Sequence, residues 1–97
     1  MSRHVIRDHD GIRESDAPPT DVQVAATLDV TTIDGRRVTF HIGEGLGELR
    51  YMVGLGGALH ILAGDQIVQT FGPGYWATVT GEAVQAKGDE GYRPSRG

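Results

Sequence analysis

Hydrophobic and polar residues alternate with a period of two through most of the middle of the chain. Val22, Val24, Ala26, Leu28 and Val30 are interleaved with Gln23, Ala25, Thr27, Asp29 and Thr31. Successive side chains of a strand point to opposite faces, so this pattern predicts a strand with one buried face. A second strand follows, with Val38, Phe40 and Ile42 on one face and Arg37, Thr39 and His41 on the other.

The turn between these strands follows from parity. Directly opposed residues of an antiparallel pair share a face, and a two-residue loop at Asp34-Gly35 would set Val30 against Thr39. A three-residue loop of Ile33, Asp34 and Gly35 instead pairs Val30 with Val38, Leu28 with Phe40 and Ala26 with Ile42. It also puts Gly35 at the left-handed position of a type I turn followed by a bulge, where glycine carries no steric cost.

Leu49, Tyr51, Val53 and Leu55 alternate with Arg50, Met52 and Gly54, which predicts a third strand. Residues 58–62 and 67–71 predict a hairpin around Ala63-Gly64-Asp65-Gln66. Its adjacent apolar pairs, Ile61-Leu62 and Ile67-Val68, are the pattern of strands covered on both faces. After Gly72-Pro73-Gly74, residues 75–80 form a sixth strand, and a single turn of helix is the most that fits residues 81–87.

The expected fold is therefore all-β, a small antiparallel barrel or roll of about six short strands over residues 22–86. Residues 1–21 carry three Arg, five carboxylates and Pro18-Pro19 with scattered hydrophobes and no periodicity, and are read as a flexible N-terminal tail. Residues 87–97 are read as a second, C-terminal tail on the same grounds.

Composition narrows the function classes. At 97 residues the chain has room for one domain, which excludes a barrel of eight βα units or a cofactor domain joined to a substrate domain. Leu, Ile, Val and Phe make up 23 residues, enough for a core but a small one, and small cores favour self-association. There is no Cys, so disulfides and cysteine-held zinc or iron–sulfur clusters are excluded, and no cofactor is expected. A net charge of -4 opposes a broad nucleic-acid surface. No apolar run reaches the roughly 18 residues of a membrane span, and neither a membrane nor a secretory leader is expected. The expected location is the cytoplasm.

Nothing in the sequence specifies catalysis. The series Gly43-x-Gly45-x-Gly47 meets Glu48 where a dinucleotide fingerprint needs glycine, and the glycines are read as turn residues. His41 and His60 fall on different strands, and a shared metal site with Glu44 or Glu48 is not expected. Ser2, Ser15 and Ser95 all lie in the tails, away from any paired base.

Binding has better candidates. Tyr75 and Trp76 are adjacent in a strand and point to opposite faces, so one of them is outside the core, where exposed aromatics mark recognition surfaces. Arg50, Tyr51 and Met52 would join them in one patch, and Arg36 and Arg37 form the only basic pair of the core region. The reading is a non-enzymatic interaction domain that binds a protein partner, as an inhibitor, accessory subunit or assembly component, and also self-associates. One alternative is a small barrel binding or transforming an apolar small molecule in a cavity lined by Phe40, Tyr51, Met52 and Trp76. Single-stranded nucleic acid binding on aromatic side chains is the third.

Overall fold

The computed structural model describes residues 2–84. All the regular structure beyond one 3₁₀ turn is strand: β1 (Ser2–Asp8), β2 (Gly11–Ser15), β3 (Val24–Thr32), β4 (Arg37–Gly43), β5 (Leu49–Val53), β6 (Leu59–Ala63), β7 (Gln66–Phe71), β8 (Trp76–Thr80) and β9 (Glu82–Ala83). The 3₁₀ turn, Leu55–Gly57, links β5 to β6. Among the described residues no helix is long and apolar enough to cross a membrane.

The strands form two sheets, ordered β2-β1-β4-β3-β8 and β7-β6-β5-β9, and among the described residues no ladder closes them into a barrel. Their facing sides enclose Val5, Leu28, Val30, Val38, Phe40 and Ile42 from the first sheet and Leu49, Leu59, Ile61, Ala63 and Phe71 from the second. Phe40 meets Phe71 edge to face, with ring centroids 6.2 Å apart.

The β3–β4 hairpin has the expected register, Val30 with Val38, Leu28 with Phe40 and Ala26 with Ile42. Thr32 donates its N–H to the Arg36 carbonyl across a loop of residues 33–35, and Gly35 sits at φ 89°. The alternation does not run unbroken to Val22, however. The ladder shifts between Val24 and Ala26, so Val24 pairs with Gly43 and the start of the strand turns to the opposite face.

Residues 2–15 are not a tail. β1 pairs in parallel with β4, with Val5 beside Phe40 and Ile6 beside His41, and β2 returns antiparallel along β1. Val5 and Ile6 are both buried although they point to opposite faces. Val5 enters the core between the sheets. Ile6 is on the outer face of the five-stranded sheet and is still 0% exposed.

What covers Ile6 follows from connectivity. β2 ends beside the start of β1, at His4 opposite Ser15, whereas β3 begins at the far end of β4, at Val24 opposite Gly43. Residues 16–23 must cross two strands and run most of their length, a diagonal of about 20 Å for a segment that reaches about 26 Å when extended. The outer face is the short route. Arg13, which shares that face with Ile6, is paired to Asp21 of the crossing segment at 2.6 Å and to Asp8 at 3.2 Å. Val22 packs close over Gly43. Because both faces of β1 are covered, its sequence needs no alternation, which is why periodicity does not reveal it.

Glu82–Ala83 pair with Arg50–Tyr51 of β5 instead of starting a helical turn. Only Gly81 separates β8 from β9, so one stretch of chain pairs first with β3 and then with β5 and ties the sheets together along one side. Gly81 has φ 156°, and a methyl group there would approach Leu28 Cγ to 2.7 Å. Gly81→Ala is expected to destabilise the fold by about 1–3 kcal/mol through overpacking against a buried leucine; a shift under about 0.5 kcal/mol in chemical denaturation would contradict this junction. The segment 87–97 read as a C-terminal tail, and the domain boundary at residue 86, lie outside the described residues.

Candidate functional site

Three turns meet at one end of the molecule. The β3–β4 turn is joined to the β7–β8 turn by a hydrogen bond from Ile33 N–H to the Tyr75 carbonyl, at 3.0 Å. The next residue, Trp76, donates its indole N–H to the carbonyl of Gly57 in the 3₁₀ turn, at 2.8 Å. Trp76 is half-buried against the core, while Tyr75 is 71% exposed and Ile33 is 62% exposed. Of the two adjacent aromatics, therefore, Trp76 seals the end of the core and Tyr75 faces out.

Below Tyr75 and Ile33 opens a cleft of about 1200 Å³. Val38 and Phe71, both buried, form an apolar floor. Arg3, Arg36 and Arg37 bring three guanidinium groups to its walls, against the carboxylates of Asp16 and Asp34. Arg36 is 3.2 Å from Asp34, and Arg3 is 3.6 Å from Glu14, both as solvent-exposed pairs. Among the described residues Arg37 makes no ion pair. The Asp34 carboxyl, which accepts a hydrogen bond from Thr32 Oγ1 and sits beside Arg36, is held below the ordinary carboxylate range.

Comparison with models of known families, with curated protein sequences and with solved structures gave no match. The geometry of this end has to carry the functional argument.

Tyr75, Arg36 and Arg37 are brought together, but Arg50, Tyr51 and Met52 do not join them. Arg50 and Met52 are on the outer face of the four-stranded sheet, where Arg50 is opposite Glu82 and 3.4 Å from Glu48. Tyr51 turns the other way, in register with Ile61, and packs against the core. The single patch expected from the sequence is thus split between two sheets. The interior cavity expected for an apolar ligand is also divided, because Phe40 is 1% exposed and packed on Phe71 while Met52 points outward. Ile33 and Arg3 were not among the expected site residues. An isoleucine inside a polar turn is the signal that marks the first; the second became available only once β1 joined the sheet.

The histidines pair differently from any expected arrangement. His41 and His60 do not meet: His60 Nδ1 is 2.9 Å from Thr70 Oγ1, and His41 Nε2 is 2.9 Å from Nδ1 of His4. Among the described residues no three potential metal-ligating side chains cluster. His41 is 6% exposed, between Ile6 and Thr27 in the ladder. Burial holds its pKa below the ordinary histidine value, the neighbouring His4 adds to the effect, and Asp29 opposes it.

This pair gives the fold an expected acid sensitivity. A histidine whose folded pKa is depressed leaves the unfolded chain binding more protons below about pH 6.5, so stability falls as pH drops through that value. Asp21 and Asp34, held low by Arg13 and by Thr32 respectively, lose their contributions only at more acid pH. The melting temperature of wild type is expected to fall between pH 7.5 and 5.5, and that of His41→Gln to change less over the same range. Parallel profiles for the two would contradict the assignment.

Proposed function

We propose that this chain is a protein-binding β domain, acting by contact and not by catalysis, whose recognition surface is the end built from the β3–β4 and β7–β8 turns. The observation that carries the reading is the pairing of Ile33 with Tyr75. A backbone hydrogen bond fixes the two turns to each other, so two large apolar side chains are held outward over an apolar floor with Arg36 and Arg37 beside them. Tyr and Arg, here at the rim of a pre-formed apolar cleft, are enriched among the residues that dominate the energetics of protein interfaces, where they add contact area and directed hydrogen bonds. The partner would meet a rigid surface, as an inhibitor, accessory subunit or assembly component does. The cysteine-free composition fits a cytoplasmic setting.

Self-association is the second part of the proposal. The apolar pairs Ile61-Leu62 and Ile67-Val68 have the pattern of strands covered on both faces, yet Leu62 is only half-buried and Ile67 is exposed on the outer side of the four-stranded sheet. The Gly81 junction, which ties the two sheets along one side, supports reading the fold as an open roll.

The test is the native mass of the chain recovered gently from its own cells, compared with that of Tyr75→Ala. The proposal expects a complex with another protein in wild type and its loss in the variant, with any homo-oligomer retained. A homo-oligomer carrying extra small-molecule mass would replace this reading with the apolar-ligand alternative, and wild type recovered as a bare monomer would remove it.

A further inference from the structure

The cleft has a chemistry more specific than its apolar rim, and on the reading of this end as a protein-binding surface it indicates what kind of segment enters. We propose that the cleft receives an extended acidic stretch of a partner protein, with a partner carboxylate on Arg37 and a neighbouring apolar side chain between Ile33 and Tyr75.

Charge is the first argument. The chain is acidic overall, at -4, yet the lining of this cleft carries three Arg against two carboxylates, Asp16 and Asp34, a local excess of positive charge. Local charge decides recognition because ions in physiological salt are screened beyond about 8 Å. Arg37 begins β4 on the face opposite Val38, at the margin of the cleft; its register partners, Thr31 on one side and Ser2 on the other, carry hydroxyl and not acidic side chains, and Asp16 also lines the cleft. Arg36 has Asp34, but an exposed pair of that kind contributes about 0–1 kcal/mol and exchanges readily for an incoming carboxylate. The guanidinium plane donates two parallel hydrogen bonds to a carboxylate, which a lysine does not reproduce.

Shape is the second. The cleft opens between the end of β7, at Thr70 and Phe71, and the first residues of β1 and β4, and among the described residues no ladder joins β7 to β1 or β4. Of the adjoining turn, Gly74 has open space where a side chain would stand, so the backbone of an incoming segment can approach there, whereas the Tyr75 ring already lies over Gly72. At about 1200 Å³ the space exceeds the roughly 300–1,000 Å³ typical of pockets that enclose a small molecule. An extended peptide fills such a trough while keeping one side in water.

Selection from a random twelve-residue peptide library displayed on phage, with the full chain as bait, tests the inference. The expected result is enrichment of peptides that place Asp or Glu within a few positions of an aromatic or branched side chain. The affinity of the best synthetic peptide should fall at least tenfold in Arg37→Glu, less in Arg37→Lys, and at least tenfold in Tyr75→Ala. Peptides that need Tyr75 but contain no enriched carboxylate and ignore Arg37→Glu would overturn the acidic segment while leaving the protein-binding surface standing. Failure to select any Tyr75-dependent peptide would overturn the extended-segment proposal, and the native-mass comparison would still decide the broader reading. Binding of a single-stranded oligothymidylate that is lost in Tyr75→Ala would overturn it in favour of nucleic acid.

Discussion

Ile6→Ala is expected to lower the unfolding free energy by about 2–5 kcal/mol, the cost of removing a large aliphatic side chain from a fully buried position and leaving a cavity. Ile6 is 0% exposed, but it belongs to neither of the two facing sides that make up the main core. Its burial follows from the chain order, which sends residues 16–23 across the outer face of the five-stranded sheet, where Asp21 of this segment pairs with Arg13. A domain of this size has only about 5–15 kcal/mol in total, so the substitution removes a large share. Ile12→Ala, on the edge strand β2 and 43% exposed, is the control and is expected to cost less than about 1 kcal/mol. Chemical denaturation separates the cases, because a true loss of stability moves the midpoint while the slope stays constant. Equal, small shifts for both variants would mean that the first fifteen residues are dispensable to the fold.

Tyr75 and Trp76 are expected to part company. Trp76→Ala removes a large side chain packed on the core and the indole N–H that holds the Gly57 carbonyl, and should cost about 3 kcal/mol or more in stability. Any loss of binding in that variant follows from the disturbed end of the molecule. Tyr75→Ala removes a side chain that faces solvent, and its thermal unfolding should match wild type to within about 1 kcal/mol. If Tyr75 is a central contact, partner affinity falls by about 2 kcal/mol, a factor of about 30, in a chain that remains folded. Trp76→Phe, which keeps the ring and loses the N–H, should recover most of the packing and isolate the hydrogen bond at about 1 kcal/mol. Comparable stability losses at positions 75 and 76 would mean that both aromatics are structural.

The same neighbours show how far the sequence reads and where it stops. Alternation from Ala26 to Val30 and from Val38 to Ile42, with a turn whose parity admits one loop length, is local information, and the β3–β4 register followed from it residue for residue. β1 carries no periodic signal because Val5 and Ile6 are each buried by elements distant in sequence, and two adjacent hydrophobes among charges give no alternation. The bulge at Ala25 has no local marker; it accompanies the packing of Val22 over Gly43. At the site, Tyr75, Arg36 and Arg37 were legible as candidates one at a time, but their convergence was not, since it depends on which turns share an end of the fold. Arg50 and Met52 share with them only residue type, and sheet order separates them. Tyr51 likewise shares only residue type, and its place in register with Ile61 turns it inward.

The claim on which the functional account rests is that this end of the molecule meets another protein. Incorporating the photo-crosslinker p-benzoylphenylalanine in place of Tyr75, and separately in place of Met52, then irradiating intact cells, tests it at the residue itself. The account expects a discrete adduct with a different protein from position 75 and none of the same mass from position 52. No protein adduct from position 75, or the same adducts from both positions, would contradict it.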